Sequence, residues 1–214
     1  MAIIIPGILT NDEKDYQQKL KKAEGVADLI QIDVIDGIFA NNITVGTDVI
    51  KKNPTSAMLE IQLMVIEPKK YLIPLVSLQF VSRIIIPFET NNLLRETIYQ
   101  IKNNQKQVGI SLNPQTPINA ASNLFTEIDL LSLYAGTPGF SGQKFQKHIL
   151  QKIRQSKDMM PNLPVEVDIG VNFQTASEIA EAGADFLVAT SALHNAPDFQ
   201  LAYQKLAKLA SNLQ

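Results

Sequence analysis

Two aspartates sit at positions where a buried carboxylate needs a reason to be there. Asp33 lies near the end of the apolar run 29–34, and Asp168 ends the run 165–168. A carboxylate in an apolar segment costs free energy unless it is bonded or chemically used. Either could be a structural cap that accepts loop amides, but we predict a functional role for both. For Asp36, next to Gly37, we favour a turn or capping role.

Three short segments could hold an anion. Small residues let backbone N–H groups approach a phosphate, and successive N–H groups form a positive concavity. Each segment is weak support alone, but together they indicate a phosphate site. The candidate residues are Gly139, Ser141, Gly142, Gly170, Thr190 and Ser191.

The elements that would position these residues follow a regular alternation. Short apolar runs, each followed by an amphipathic segment, occur about eight times and predict a parallel sheet with helical crossovers. The predicted strands are residues 3–9, 29–34, 58–64, 81–87, 107–112, 128–134, 165–168 and 186–189. We predict one (β/α)8 barrel, a TIM barrel, over residues 1–214. Its strand ends converge on one face, where barrels carry chemistry.

The rival architecture is a doubly wound open sheet, which counting alone leaves open. It would lack a glycine-rich phosphate loop after the first strand, where Gly7 stands alone. At the helix ends, Thr10 with Glu13 predicts a capping box, and Gly25 closes the first helix. Asn172 is expected to cap the seventh helix, and Leu213 to lie on the apolar stripe of the eighth.

Composition excludes several function classes. Hydrophobic residues make up 45% of the chain, and the net charge is −2. A nucleic-acid partner is therefore not expected, because it requires a basic face. Cysteine is absent, which excludes disulfides and thiolate metal sites and favours a cytoplasmic setting. We expect neither a signal peptide nor a membrane span.

Five segments in order resemble the ribulose-phosphate 3-epimerase family. They are residues 33–39 with 42–46, residues 112–117, residues 138–145, residues 166–172 and residues 182–185. The resemblance runs from Pro6 to about Ala192. Several motifs in the right order are far more specific than any one of them.

The resemblance implies epimerisation at C3 of a phosphorylated ketopentose. One carboxylate would remove the C3 proton to give an enediolate, and a second would return a proton to the opposite face. By the match, these are Asp33 and Asp168. The family normally holds a divalent metal (Mn, Fe, Zn or Mg) with two histidines and the same aspartates. A phosphorylated sugar is thus the expected partner, and a homo-oligomer the expected assembly.

The pocket positions depart from the family pattern. Gln31 and Gln62 stand at the two histidine positions, so any metal site would be weak or lost. Gly7 replaces a serine and Tyr134 a methionine, and Met64 completes the expected pocket. Ile169, Ser141 and Thr190 replace phosphate-loop glycines. We expect His148 in mid-helix six, facing solvent, and His194 past strand eight; neither supplies the missing ligands.

Three functions remain open from the sequence. The first, which we favour, is an epimerase in which the Gln31 and Gln62 amides donate to the enediolate in place of metal. The second is a non-catalytic phosphosugar-binding paralogue. The third is another reaction on the same barrel, such as epimerisation of a ketohexose 6-phosphate. Decarboxylation ranks low, because no lysine lies between Asp33 and Asp36.

Overall fold

The strands of the computed structural model, which describes residues 1–89 and 93–211, close into a parallel barrel. Strand β1 pairs with β8 through Ile3–Phe186 to Pro6–Ala189, which completes the ring and rules out the open sheet. The eight strands are β1 Ile3–Ile8, β2 Leu29–Ile35, β3 Met58–Met64, β4 Val81–Pro87, β5 Gln107–Leu112, β6 Leu130–Tyr134, β7 Val165–Asp168 and β8 Phe186–Ala189.

Five of the predicted strands have the observed bounds, and β1 and β2 differ by one residue. The sixth strand begins two residues later than predicted. Asp129, just before it, already pairs with Val108 through both its backbone N–H and its carboxylate, at 2.8 and 2.9 Å. The apolar run therefore includes a turn residue that composition alone does not separate from the strand.

Helices cover the outside of the barrel. In the described part of the chain they are α1 Glu13–Glu24, α2 Thr47–Lys52, α3 Lys69–Val76, α4 Leu94–Asn103, α5 Ile149–Met159, α6 Ala176–Glu181, α7 Ser191–His194 and α8 Phe199–Ala210. The crossover between β5 and β6 is a 3₁₀ helix, Ile118–Leu124. None of these helices combines the length and apolar character needed to cross a membrane.

The predicted helix ends are partly wrong. The cap of α1 is Asp12, whose carboxylate accepts the Asp15 N–H at 2.7 Å, and Thr10 accepts the Asp12 N–H just before it. Gly25 is the C-cap of α1, as expected. The side chain of Asn172 accepts the Gln174 N–H in the turn before α6 rather than at its first residue. Leu213 lies outside the described residues.

Side chains alternate between the two surfaces of the barrel wall. Outward residues such as Ile30, Ile32 and Val34 of β2 join the main apolar core beneath the helices. Inward residues at the carboxyl end form a second, smaller apolar cluster of Ile35, Met64, Tyr134 and Ile169. The polar residues Gln31 and Asp33 share the inward face of β2 with Ile35.

Candidate active site

Asp33 and Asp168 approach each other inside the carboxyl end of the barrel. Both are buried, with 3% and 5% of their surface exposed. The side-chain amide of Gln31 lies between them. Its Nε2 donates to Asp33 Oδ1 at 2.8 Å and to Asp168 Oδ2 at 3.4 Å. One amide thus contacts both carboxylates predicted to be functional.

The environment of the pair favours the protonated form of each carboxyl group. Burial, and then the charge of Asp168, raise the pKa of Asp33 well above its ordinary range. Burial, and then the charge of Glu166, raise the pKa of Asp168 to about 7. Since removing the first proton makes removal of the second harder, the pair titrates as a unit that retains a proton near neutral pH.

The turn after β7 fixes the orientation of Asp168. Its Oδ1 accepts the backbone N–H of Ile169 at 2.7 Å, which partly offsets the effect of burial. Ile169 has a φ of +74°, in the left-handed region that β-branched residues rarely adopt.

The capping alternative does not account for the pair of acids. Among the described residues, Asp168 accepts a single loop amide, and the side-chain bond of Asp33 comes from Gln31 rather than from a loop. Asp36, by contrast, is a capping residue, as predicted. Its carboxylate accepts the N–H groups of Ile38, Phe39 and Ile66.

Gln62 belongs to a separate hydrogen-bonded group. Asp33 and Gln62 are register partners on β2 and β3. The Gln62 Nε2, however, donates to the Tyr134 hydroxyl at 2.6 Å and to Ser111 Oγ at 3.2 Å. All three side chains are fully buried. The four residues at the implied metal-ligand positions are therefore divided between two hydrogen-bonded groups.

A cavity of about 170 Å³ opens above the aspartates. Asp33, Asp168 and Met64 line one part of it. All six residues predicted to bind phosphate line another part: Gly139, Ser141, Gly142, Gly170, Thr190 and Ser191. The structure thus brings the predicted acids and the predicted anion seat to one space. Gln31, Gln62 and Tyr134 lie beneath its floor rather than in its lining.

The loop after β6 is braced by side-chain hydrogen bonds. Gln143 Oε1 accepts the Thr137 N–H at 3.1 Å, and its Nε2 donates to the Phe140 carbonyl at 2.7 Å. Asn42 donates to the Gly139 carbonyl at 2.7 Å, which ties this loop to the one after β2. Gly170 is required where it stands, because an added Cβ would lie 2.7 Å from the backbone of Phe145.

Gly7 and Thr190 share one space. A side chain at position 7 would collide with the Thr190 hydroxyl, so Thr190 occupies the volume that a serine at position 7 would need. The Gly7 carbonyl accepts a hydrogen bond from His194 Nε2 at 2.9 Å. Burial lowers the pKa of His194 to about 4, so this histidine is neutral and braces the loop after β1.

His148 is not in mid-helix, as the sequence suggested, but in the N-cap position of α5. It is exposed there, 3.3 Å from the Pro114 carbonyl. The turn over residues 146–149 precedes the helix and shortens it at this end. Neither histidine contributes to the carboxylate pair.

Sequence reasoning missed the polar residues beneath the aspartates. Glu60 and Arg83 form a buried ion pair at 2.7 Å, and Glu166 lies beside Glu60. Burial, and then the charge of Glu60, raise the pKa of Glu166 well above its ordinary value. A signal was present: Glu60 is two residues before Gln62, and Glu166 two before Asp168, so strand alternation places both inward.

The chain matches the model of the "Ribulose-phosphate 3 epimerase family" over residues 3–194. It belongs to this family. Its relatives include proteins named ribulose-phosphate 3-epimerase from Bacillus subtilis and Escherichia coli K12. The first is 36% identical, covering 96% of this chain and 98% of that protein. The second is 31% identical, covering 92% of this chain and 91% of that protein.

Solved structures of more distant proteins share the fold of this family member. The structure described as KGPDC from Streptococcus mutans, solved in complex with a phosphosugar, has a TM-score of 0.79 at 9% identity, covering 99% and 98% of the two chains. The 3-hexulose-6-phosphate synthase from Salmonella typhimurium has a TM-score of 0.75 at 17% identity, covering 99% and 100%. At these identities the likeness concerns the fold alone.

Members of the ribulose-phosphate 3-epimerase family generally depend on a divalent metal, but the donor set here does not fit one. The described residues contain no group of three or more His, Cys, Asp and Glu side chains able to hold an ion. The atoms of Gln31 and Gln62 that face the hydrogen-bonded partners are amide nitrogens, which donate hydrogen bonds and do not ligate metals.

Proposed function

We propose that the protein is an isomerase of the ribulose-phosphate 3-epimerase type. It would interconvert ribulose 5-phosphate and xylulose 5-phosphate by proton transfer at C3 between the ketose and two carboxyl groups. One observation carries the proposal: Asp33, Asp168 and the six predicted phosphate-binding residues line the same cavity. Family membership supports the same reaction.

The chemistry needs one carboxylate without a proton and one carboxyl group with a proton. The raised pKa values of Asp33 and Asp168 support this state near neutral pH. Asp33 would take the C3 proton, leaving the electron pair in an enediolate, and Asp168 would then give its proton to the opposite face of C3. The reverse reaction exchanges the two roles, so the enzyme returns to a state with one proton on the pair.

Substrate orientation would come from the phosphate. The backbone N–H groups around Gly142 and Gly170, with the hydroxyl groups of Ser141, Thr190 and Ser191, would bind it. Fixing the phosphate at one end of the cavity places the carbons of a short ketose phosphate near the aspartates. The binding free energy of a non-reacting group is then used to position the reacting carbon.

The Gln31 and Gln62 amides do not fit the role of donors to the enediolate that the sequence suggested. Both Nε2 groups already donate to protein acceptors, and both side chains lie below the cavity. This observation also favours a second candidate, a phosphosugar-binding protein without catalysis. An epimerase of a ketohexose 6-phosphate is the alternative within the first candidate.

The decisive experiment is incubation of the purified protein with ribulose 5-phosphate in D₂O. NMR would follow both xylulose 5-phosphate formation and deuterium incorporation at C3. We expect both, and we expect Asp33→Asn and Asp168→Asn to reduce turnover by about 10²–10⁴-fold, the usual range for general acid–base groups. Asp158→Asn, on an exposed face of α5, is the control and should retain the rate.

The alternatives give different results in the same assay. If ketopentose phosphate is neither converted nor exchanged, the proposal is wrong. A rise in melting temperature with ribulose 5-phosphate, without exchange, would then identify a binding protein. Exchange seen with a ketohexose 6-phosphate but not with the ketopentose phosphate would identify the hexose alternative.

A further inference from the structure

The position of Gln31 resembles that of a bridging ion. Its fully buried side chain extends from β2 to a carboxylate on the same strand and to a second one on β7. A primary amide carries two N–H hydrogens, so one nitrogen can donate to both acceptors. The Nε2 distances of 2.8 Å to Asp33 and 3.4 Å to Asp168 agree with this arrangement.

We infer that Gln31 is a positioning residue that takes the place of a divalent metal, and that this centre holds its two carboxylates together without an ion. The positioning role rests on the proposed function, whereas the absence of a metal requirement is a property of the site that can be measured separately.

An ion placed between Asp33 and Asp168 would have to displace the Gln31 amide. The amide would need to turn so that Oε1 faced the ion, which would end both of its bonds to the aspartates. Gln62 would also have to leave the Tyr134 hydroxyl and Ser111. Those two groups are fully buried and would lose the Gln62 donor away from water, which is unfavourable.

The oxygens of the two amides make this a real competition. Gln31 Oε1 and Gln62 Oε1 are buried and have no hydrogen-bond partner among the described residues. An ion could in principle recruit them, although neutral amide oxygens suit Mg²⁺ or Mn²⁺ better than Zn²⁺. The hydrogen bonds that each Nε2 would lose are the reason we expect recruitment to fail.

Metal content tests the inference directly. The full-length protein would be equilibrated separately with Mn²⁺, Fe²⁺, Zn²⁺ and Mg²⁺, passed through a desalting column and measured by mass spectrometry of the metal. Isothermal titration with the same ions would complement it. We expect no stoichiometric ion on the wild-type protein. Retention of a stoichiometric ion would overturn the inference.

A matched variant shows whether the glutamines are the cause. The triple variant Gln31→His, Gln62→His, Tyr134→Met supplies two imidazoles and removes the phenol that bonds Gln62. We expect it to bind a stoichiometric divalent ion. If the folded variant binds none, the glutamines do not account for the lack of metal, and the inference is wrong in its cause.

The positioning role has its own measurement. Gln31→Met keeps the length of the side chain and removes both donors. We expect kcat to fall on the order of 100-fold, as is typical when a reacting group is displaced, with KM nearly unchanged because the phosphate seat is untouched. An unchanged kcat would contradict the role. If the wild-type protein has no epimerase activity, the proposed function fails, and the metal measurements still decide the rest.

Discussion

At the scale of single residues, the carboxyl group of Asp168 combines a catalytic candidate with a cost in stability. Its pKa of about 7 in the folded protein lies above the ordinary value of 3.8. A carboxyl group with a raised pKa binds its proton more tightly in the folded state. The stability that this proton contributes is present below about pH 4 and is lost as the pH rises through 7.

Replacing Asp168 with Asn should therefore stabilise the protein at high pH. Asn cannot ionise, but its oxygen can still accept the Ile169 N–H. Between about pH 5 and pH 8, the advantage in free energy of unfolding should grow by at most about 3 kcal/mol, since each pKa unit corresponds to about 1.4 kcal/mol. Urea unfolding at both pH values measures it.

The control for this prediction is Asp158→Asn on the exposed face of α5, for which the difference between the two pH values should be negligible. A constant advantage of Asp168→Asn across this range would mean that Asp168 ionises in the folded protein as it does in water. Loss of activity with gain of stability would be the trade-off expected of a buried acid retained for function.

The sequence predicted some residues of the site and missed others for a physical reason. Asp33 and Asp168 could be located because strand alternation and position at a strand end are local properties. The contact between Gln31 and Asp168 could not, because it joins residues 137 apart in the chain. The engagement of Gln62 with Tyr134 depends on barrel closure in the same way.

At the scale of elements, the turn after β7 is the strained part of the site. Ile169 and Gly170 have φ angles of +74° and +78°, and the first is β-branched. The Ile169 side chain packs with Ile35, Met64 and Tyr134. Its Cγ2 lies 2.6 Å from the point where a Cβ on Gly136 would stand, so position 136 must stay glycine beside it.

A comparison of Ile169→Gly with Ile169→Ala should isolate the backbone strain. Both variants lose the buried side chain, but only glycine adopts the left-handed conformation freely. We expect the glycine variant to be more stable than the alanine variant by about 1 kcal/mol, as measured by urea unfolding.

Val167 provides a matched control within the same strand. It is fully buried in ordinary β-structure, so Val167→Gly should be less stable than Val167→Ala, the reverse of the order at position 169. The same order at both positions would show that Ile169 is not strained.

Element boundaries followed local composition where they were predictable. Strands such as Val81–Pro87 and Gln107–Leu112 were found because both faces are buried and the run is apolar throughout. The capping box at Thr10 was wrong because Asp12 competes for the same helix end and lies closer to it. The short 3₁₀ crossover Ile118–Leu124 carries no local signal that separates it from a helix.

At the scale of the whole molecule, closure of the barrel confines several acidic groups in one interior. Glu60 and Glu166 lie below Asp33 and Asp168, and Arg83 supplies the positive charge beside them. Arg83 also contacts Gln107 and lies 5.1 Å from the centre of the Phe186 ring. The pairing of β1 with β8 that encloses this group is the feature that the local pattern left open between a barrel and an open sheet.

Removing Arg83 should destabilise the whole barrel, because it leaves a carboxylate buried without its cation. We expect Arg83→Met to lower the free energy of unfolding by about 3–5 kcal/mol at pH 8. The loss should be smaller near pH 5, where Glu60, whose pKa is raised by burial, can take up a proton instead. Adding Glu60→Gln to Arg83→Met should recover part of the loss. Arg95, which pairs with Glu127 at the surface, is the matched control, and Arg95→Met should cost about 1 kcal/mol or less. Equal costs for the two arginines would mean that the interior acids are already neutral together, and that the Glu60–Arg83 ion pair contributes no more than a surface pair.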